Sequence, residues 1–293
     1  MHYFRYNPDM KQTIILYIFL INILYADLNV ATSILPQKYF LETIGGERVK
    51  VALMVLPGNS PHTYEPKPSQ MKAIADAELY FAIGVEFEKV WLPKFKALKP
   101  ELKVIDLSEG IEKLPVASAD HHTDTHHRGE ERGMDPHIWT APENVVKIAQ
   151  HIFTALSLED PENGSYYKKN LETFLQKINE TDKTIKKILS AKPEGTTFMV
   201  LHPSWGYFAR EYGLRQLPVE VEGKEPKPRE LIALIKEAEK EKVSALFAQP
   251  EFSDSAAKVI ARELHIPVIK VTPLAAEWSD NLIRIAKAIA GER

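Results

Sequence analysis

The chain has 293 residues, and 37 Lys and Arg against 40 Asp and Glu leave a net charge of −3, with 44% of residues apolar. That is the balance of an ordinary soluble globular protein of about two domains, without the basic excess that nucleic-acid binding needs. The complete absence of cysteine excludes a disulfide framework, a thiolate zinc site, an iron–sulfur cluster, a cysteine nucleophile and a lipid-bearing cysteine.

The chain begins with an apolar run at 13–25, preceded by Lys11 and followed by Ala26. Such a run is too short for a bilayer, which needs about 20 residues. Its length matches the apolar part of a secretory signal, and a buried helix or an uncleaved anchor is the alternative. Residues 1–26 are therefore expected to be a cleaved signal peptide, with Met10 a second possible start. The mature protein is expected to be periplasmic, and not a lipoprotein.

From residue 28 onward short β-like runs alternate with amphipathic stretches. Strands are expected at 28–33, 49–56, 79–83 and 102–106, with helices at 36–44, 68–77 and 86–97. A helix opens at Pro142. Asp160 and Pro161 read as the cap and first residue of a long helix that Pro193 ends. Its apolar positions Tyr167, Leu171, Phe174, Leu175, Ile178, Ile185, Ile188 and Leu189 keep a helical period. Strands at 197–201, 217–221, 244–248 and 267–271 then alternate with helices at 205–212, 228–241, 254–264 and 278–290. This order predicts an α/β protein with two lobes, each a parallel sheet flanked by helices, joined by one long linking helix. The expected plan is an N-terminal lobe at 27–158, the linking helix at 159–192 and a C-terminal lobe at 193–293. One stretch breaks the pattern: the loop 118–132 is polar and carries His121, His122, His126 and His127. Histidine-rich tracts of this kind often bind metal, the alternative being a solvated insertion.

Of the ten histidines, three others stand beside prolines: His62 after the 49–56 strand, His137 ahead of the Pro142 helix, and His202 directly after the 197–201 strand. Ligands in open α/β sheets bind beyond the carboxyl ends of strands. Three imidazoles meeting there would suit Zn²⁺, which accepts neutral nitrogen donors. Turn or interface roles are the other use of such histidines. Glu65 and Asp135 are the expected carboxylate partners of the imidazole N–H groups, with plain capping as the alternative.

Several segments together resemble the zinc-binding solute receptors of ABC importers. They are Ser60-Pro61-His62-Thr63-Tyr64-Glu65-Pro66, Asp135-Pro136-His137-Ile138-Trp139, His202-Pro203-Ser204-Trp205-Gly206-Tyr207-Phe208-Ala209, Glu222-Gly223-Lys224-Glu225-Pro226 and Pro273-Leu274-Ala275. The resemblance implies two α/β lobes with one long helix and a metal held between them by His62, His137 and His202. It also implies capture of Zn²⁺ as the transported ligand and delivery to an ABC permease and its ATPase by a monomer that is not an enzyme. His202 is similar to zinc receptors, where many manganese receptors place a glutamate. An aspartate frequent in the family is here Thr272, and the family's Glu-Pro-Gln is reversed as Gln249-Pro250-Glu251. The fourth position is therefore open to water, a loop residue or Glu277, with the loop histidines as auxiliary ligands. A manganese or iron receptor of the same family is the alternative function. A zinc hydrolase is a further one, although no His-Glu-x-x-His or Gly-x-Ser-x-Gly pattern is present.

Overall fold

The computed structural model describes residues 27–117, 133–221 and 224–292. The expected signal segment 1–26, the loop histidines His121, His122, His126 and His127, and the pair Glu222 and Gly223 lie outside them.

Two four-stranded sheets, all parallel, share one strand order. The first is β2 (Val49–Leu53), β1 (Leu28–Thr32), β3 (Leu79–Ala82) and β4 (Lys103–Asp106). The second is β6 (Arg215–Pro218), β5 (Thr197–Val200), β7 (Leu246–Ala248) and β8 (Val268–Lys270). Strands β3 and β5 are buried at every position, the apolar character a sheet covered on both faces demands. In each sheet the chain steps first to one side of the opening strand and then to the other. That reversal, between β1 and β3 and between β5 and β7, is where doubly wound sheets leave a crevice at the strands' carboxyl ends.

Helices α1 (Leu35–Gly45), α2 (Pro68–Asp76), α3 (Glu86–Leu98) and α4 (Pro142–Glu159) belong to the first half. Helix α5 (Gly164–Leu189) follows, and then α6 (Gly206–Glu211), α7 (Pro228–Lys240), α8 (Ser255–Glu263) and α9 (Trp278–Ala290). With 26 residues, α5 is about 39 Å long at 1.5 Å per residue. It buries Tyr167, Leu171, Phe174, Ile178, Thr181, Ile185 and Leu189, the stripe that spacings of three and four residues place on one side. No helix among the described residues is long and apolar enough to cross a membrane.

Three details depart from the expected elements. The long helix starts later than Asp160, because residues 161–163 form a 3₁₀ turn. The Asp160 carboxylate, expected to cap the helix, instead accepts from Asn163 Nδ2 at 2.7 Å and the Tyr167 hydroxyl at 2.5 Å. Strand β6 starts two residues before its expected position and ends at Pro218, a residue whose missing N–H an edge strand tolerates. The third concerns α9, which follows the second sheet in sequence but crosses back to the first half. Trp278 meets Phe40 of α1 edge-on at 5.8 Å and Phe174 of α5 at 6.5 Å. Ser279 and Thr181 pair their hydroxyls at 2.6 Å. One hydrophobic cluster therefore runs through both halves, from Val30 and Phe40 to Trp205, Phe247 and Ile289. A second, around Met199, Leu217, Leu234 and Ile260, lies under α7 and α8.

Candidate metal centre

His62 lies in the loop between β2 and α2, where Ser60 Oγ accepts its backbone N–H at 3.3 Å. His137 ends a tight Asp-Pro-His turn. The Asp135 Oδ1 takes both the backbone N–H at 2.9 Å and the ring Nδ1 at 2.6 Å of His137. His202 stands two residues beyond β5, and its backbone is clasped by the amide of Gln249, which follows β7. Gln249 accepts from His202 N–H and donates to His202 C=O, both at 3.3 Å, and also bonds Ser204 Oγ. Phe252 stacks on the His202 ring, 4.8 Å away and inclined by 21°.

The structure brings the three rings together. His62 and His202 have ring centres 5.4 Å apart, and His137 and His202 5.6 Å. Imidazoles sharing an ion at Zn–N distances would have centres roughly 5 Å apart. All three line one cavity of about 30 Å³, whose walls include Trp139, Phe252, Pro273 and Leu274. That exceeds the roughly 10–15 Å³ that one water needs, and is room for a small ion but not for an organic ligand. Among the described residues no group of three or more His, Cys, Asp or Glu stands close enough in this conformation to hold a metal ion. The two measured gaps show how far the His202 pairs must close: a few tenths of an ångström.

Each ring is oriented by its own carboxylate through Nδ1. The partners are Glu86 for His62 at 2.9 Å, Asp135 for His137 at 2.6 Å and Glu220 for His202 at 2.7 Å. A carboxylate that accepts from Nδ1–H fixes the tautomer with its lone pair on Nε2, the arrangement usual in metal-bound histidines. The His202 Nε2 is buried and has no hydrogen-bond partner among the described residues. A buried nitrogen lone pair without a donor is costly unless a cation meets it, so the donor set fits a borderline metal ion. The His62 hydrogen bond is the main cause that holds the Glu86 carboxyl below its ordinary range. Side-chain exposure grades from 11% at His137 and 14% at His202 to 36% at His62, which puts His62 at the mouth.

The sequence expectations for the surrounding residues need correction. Asp135 takes the expected place, but Glu65 is exposed and pairs with none of the three rings. The helix start at α3 carries Glu86 to His62 instead, and the end of β6 brings Glu220 beside the end of β5. Neither residue was identified from sequence. Each follows the carboxyl end of a strand, a signal that becomes useful once strand order is known. Thr272 and Glu277 line a neighbouring depression with Pro57 and Ala275 rather than the histidine cavity. Glu251 borders both.

Comparisons with known proteins now bear on this geometry. Residues 30–290 match the family profile described as ZnuA, zinc-uptake complex component A, periplasmic. The chain belongs to this family. The zinc-binding lipoprotein AdcA of Streptococcus pneumoniae is 26% identical over 252 residues, 84% of this chain and 50% of that protein. The high-affinity zinc uptake system protein ZnuA of Bacillus subtilis is 28% identical over 242 residues, 81% of this chain and 75% of that protein. A crystal structure of ZnuA is 41% identical with a TM-score of 0.82, covering 90% of this chain and 98% of the other. The chain thus spans about half the length of the AdcA proteins it matches.

Proposed function

We propose that this protein is an extracytoplasmic receptor that captures Zn²⁺ between its two halves and passes it to an ABC permease driven by its ATPase. His62, His137 and His202 are the ligands in this reading. It keeps two lobes, 27–158 and 193–293, around the connecting stretch 159–192, with α9 returning across the join. The observation that carries it is the set of three imidazoles around one ion-sized cavity, each with Nδ1 on a separate carboxylate. Zinc is preferred over manganese or iron because three neutral nitrogens suit a borderline ion, whereas Mn²⁺ favours carboxylate oxygens. The apolar run at 13–25 supports export.

Metal analysis of protein purified from its native compartment, without added ions, is expected to return one tightly held zinc per chain. Replacement of His62, His137 or His202 by Ala should each weaken binding markedly in a chelator competition. Parental affinity in two of the three variants would overturn the ligand set.

A further inference from the structure

Two carboxylates line the histidine cavity, Glu86 and Glu251. Glu86 is committed to His62 Nδ1. The bond Glu251 makes is of another kind: its Oε1 accepts from the Thr272 hydroxyl at 2.8 Å. Thr272 is itself held, since its Oγ1 accepts the Leu274 N–H at 3.0 Å, while the Asn281 side chain donates to its carbonyl at 2.8 Å. One hydroxyl uses one of about four lone-pair sites on a carboxylate, so the group stays available to a cation.

The backbone around Glu251 is tied to His202 on both sides. Two residues earlier, Gln249 clasps the His202 main chain; one residue later, Phe252 stacks on its ring. This loop follows β7 and His202 follows β5, the two neighbours between which the second sheet reverses direction. A glutamate on this loop is thus held against the crevice where the unpartnered Nε2 of His202 lies.

Resting on the three-histidine reading above, we infer that Glu251 is the fourth ligand of the captured ion and that Thr272 is its positioning residue. Three neutral imidazoles leave the ion its full double charge in a small, largely apolar cavity. One carboxylate reduces that charge by one and completes the four-coordinate shell that Zn²⁺ adopts. A single oxygen among three nitrogens also falls short of the six or more oxygens that harder ions take. The reversed order Gln249-Pro250-Glu251 thereby has a physical meaning. The amide sits where a buried donor and acceptor are needed, and the carboxylate where a charge is needed. The hydroxyl at 272 supplies no ligand; it aims one.

Zinc competition titrations with a chromogenic chelator at fixed pH test this in the full mature chain. Glu251→Gln keeps the shape and removes the charge, and should weaken zinc binding roughly 10- to 100-fold. Thr272→Ala should weaken it about fivefold through the lost hydrogen bond, and Thr272→Ser should restore it. Glu251→Gln combined with Thr272→Ala should be no worse than Glu251→Gln alone, because the hydroxyl acts only through the carboxylate. His202→Ala is run beside them. Parental affinity in Glu251→Gln, with tight binding lost in His202→Ala, overturns the role of Glu251 and leaves the histidine site standing. Parental affinity in His202→Ala overturns both. Thermal melts of the metal-free variants show that each is folded, and Glu251→Ala, read the same way, replaces Glu251→Gln if the carboxamide does not fold.

Discussion

At the residue scale the site depends on what stands behind the histidines. Asp135 is buried and holds both the backbone and the ring of His137. It is confined from the other half of the molecule, where the Tyr207 hydroxyl donates to its carbonyl at 3.0 Å. Gly206 leaves the space for its carboxylate, because a Cβ there would lie 2.7 Å from Asp135 Oδ2. Such contacts essentially never occur, so Gly206→Ala must displace the carboxylate and with it the His137 ring. Zinc affinity in Gly206→Ala is expected to fall by roughly tenfold or more, the usual effect of disturbing a ligand's hydrogen-bond partner. The competition titration described above checks this; unchanged affinity would mean that Asp135 can shift without turning His137.

At the element scale, α6 and α4 meet where the halves join. Both carboxylate oxygens of Glu211, the last residue of α6, face the Glu143 N–H in the first turn of α4 at 3.3 Å. Burial pushes the Glu211 carboxyl up to about 7, and the charges of Asp182 and Glu143 add to the rise. A carboxyl with a raised folded-state pKa keeps its proton in the native protein after the unfolded chain has lost its own, near pH 4.3 or about that value. Stability therefore falls as pH rises from about 4.5 to about 7, and the loss is complete above that. Glu211→Gln cannot ionise, so its melting temperature should decline less steeply than the parent's across this window. Contributions from groups that do not interact with Glu211 cancel in the difference. Parallel curves for parent and variant would show that Glu211 titrates normally.

At the scale of the whole molecule the two sheets are joined twice. Helix α5 touches both halves, Asn170 donating to the Ile44 carbonyl at 3.0 Å and Asp182 accepting from the Tyr212 hydroxyl at 3.2 Å, and α9 returns from the second sheet to pack Trp278 on Phe40 and Phe174. The Trp278 indole N–H donates to the Trp139 carbonyl at 2.7 Å, and the Trp139 indole to the Pro273 carbonyl at 2.8 Å. These bonds join the segment after His137 to the segment after Thr272 through buried side chains. With a continuous core beneath the cavity, wide opening about a hinge would expose large aromatic surface at high cost. Small-angle scattering profiles of metal-free and zinc-loaded protein should therefore superimpose, with ligation confined to loops and side chains. A clear decrease in radius of gyration on adding zinc would demonstrate closure of the lobes instead.

Local chemistry was enough to read most of the elements. Alternating apolar runs and amphipathic stretches located the strands within a few residues, because a parallel sheet needs strands buried on both faces and helices with one apolar stripe. The Pro-flanked histidines 62, 137 and 202 stood out for the same local reason, each next to a strand end or a helix start. What joined them was not local. Glu86 and Glu220 reach His62 and His202 only because strand order sets their loops side by side, and chain spacing says nothing of that. Glu65 was the nearest carboxylate in sequence, yet the turn leaves it in solvent. The terminal helix read as part of the second lobe, but its Trp278 finds its apolar partners in the first. Sequence by itself determined most of the strands and helices and singled out three histidines as candidates for metal chemistry, since both readings depend on neighbours along the chain. Tertiary structure alone decided which carboxylates hold His62 and His202 and where Glu251 and Thr272 stand, since those pairings are contacts between segments far apart in the chain.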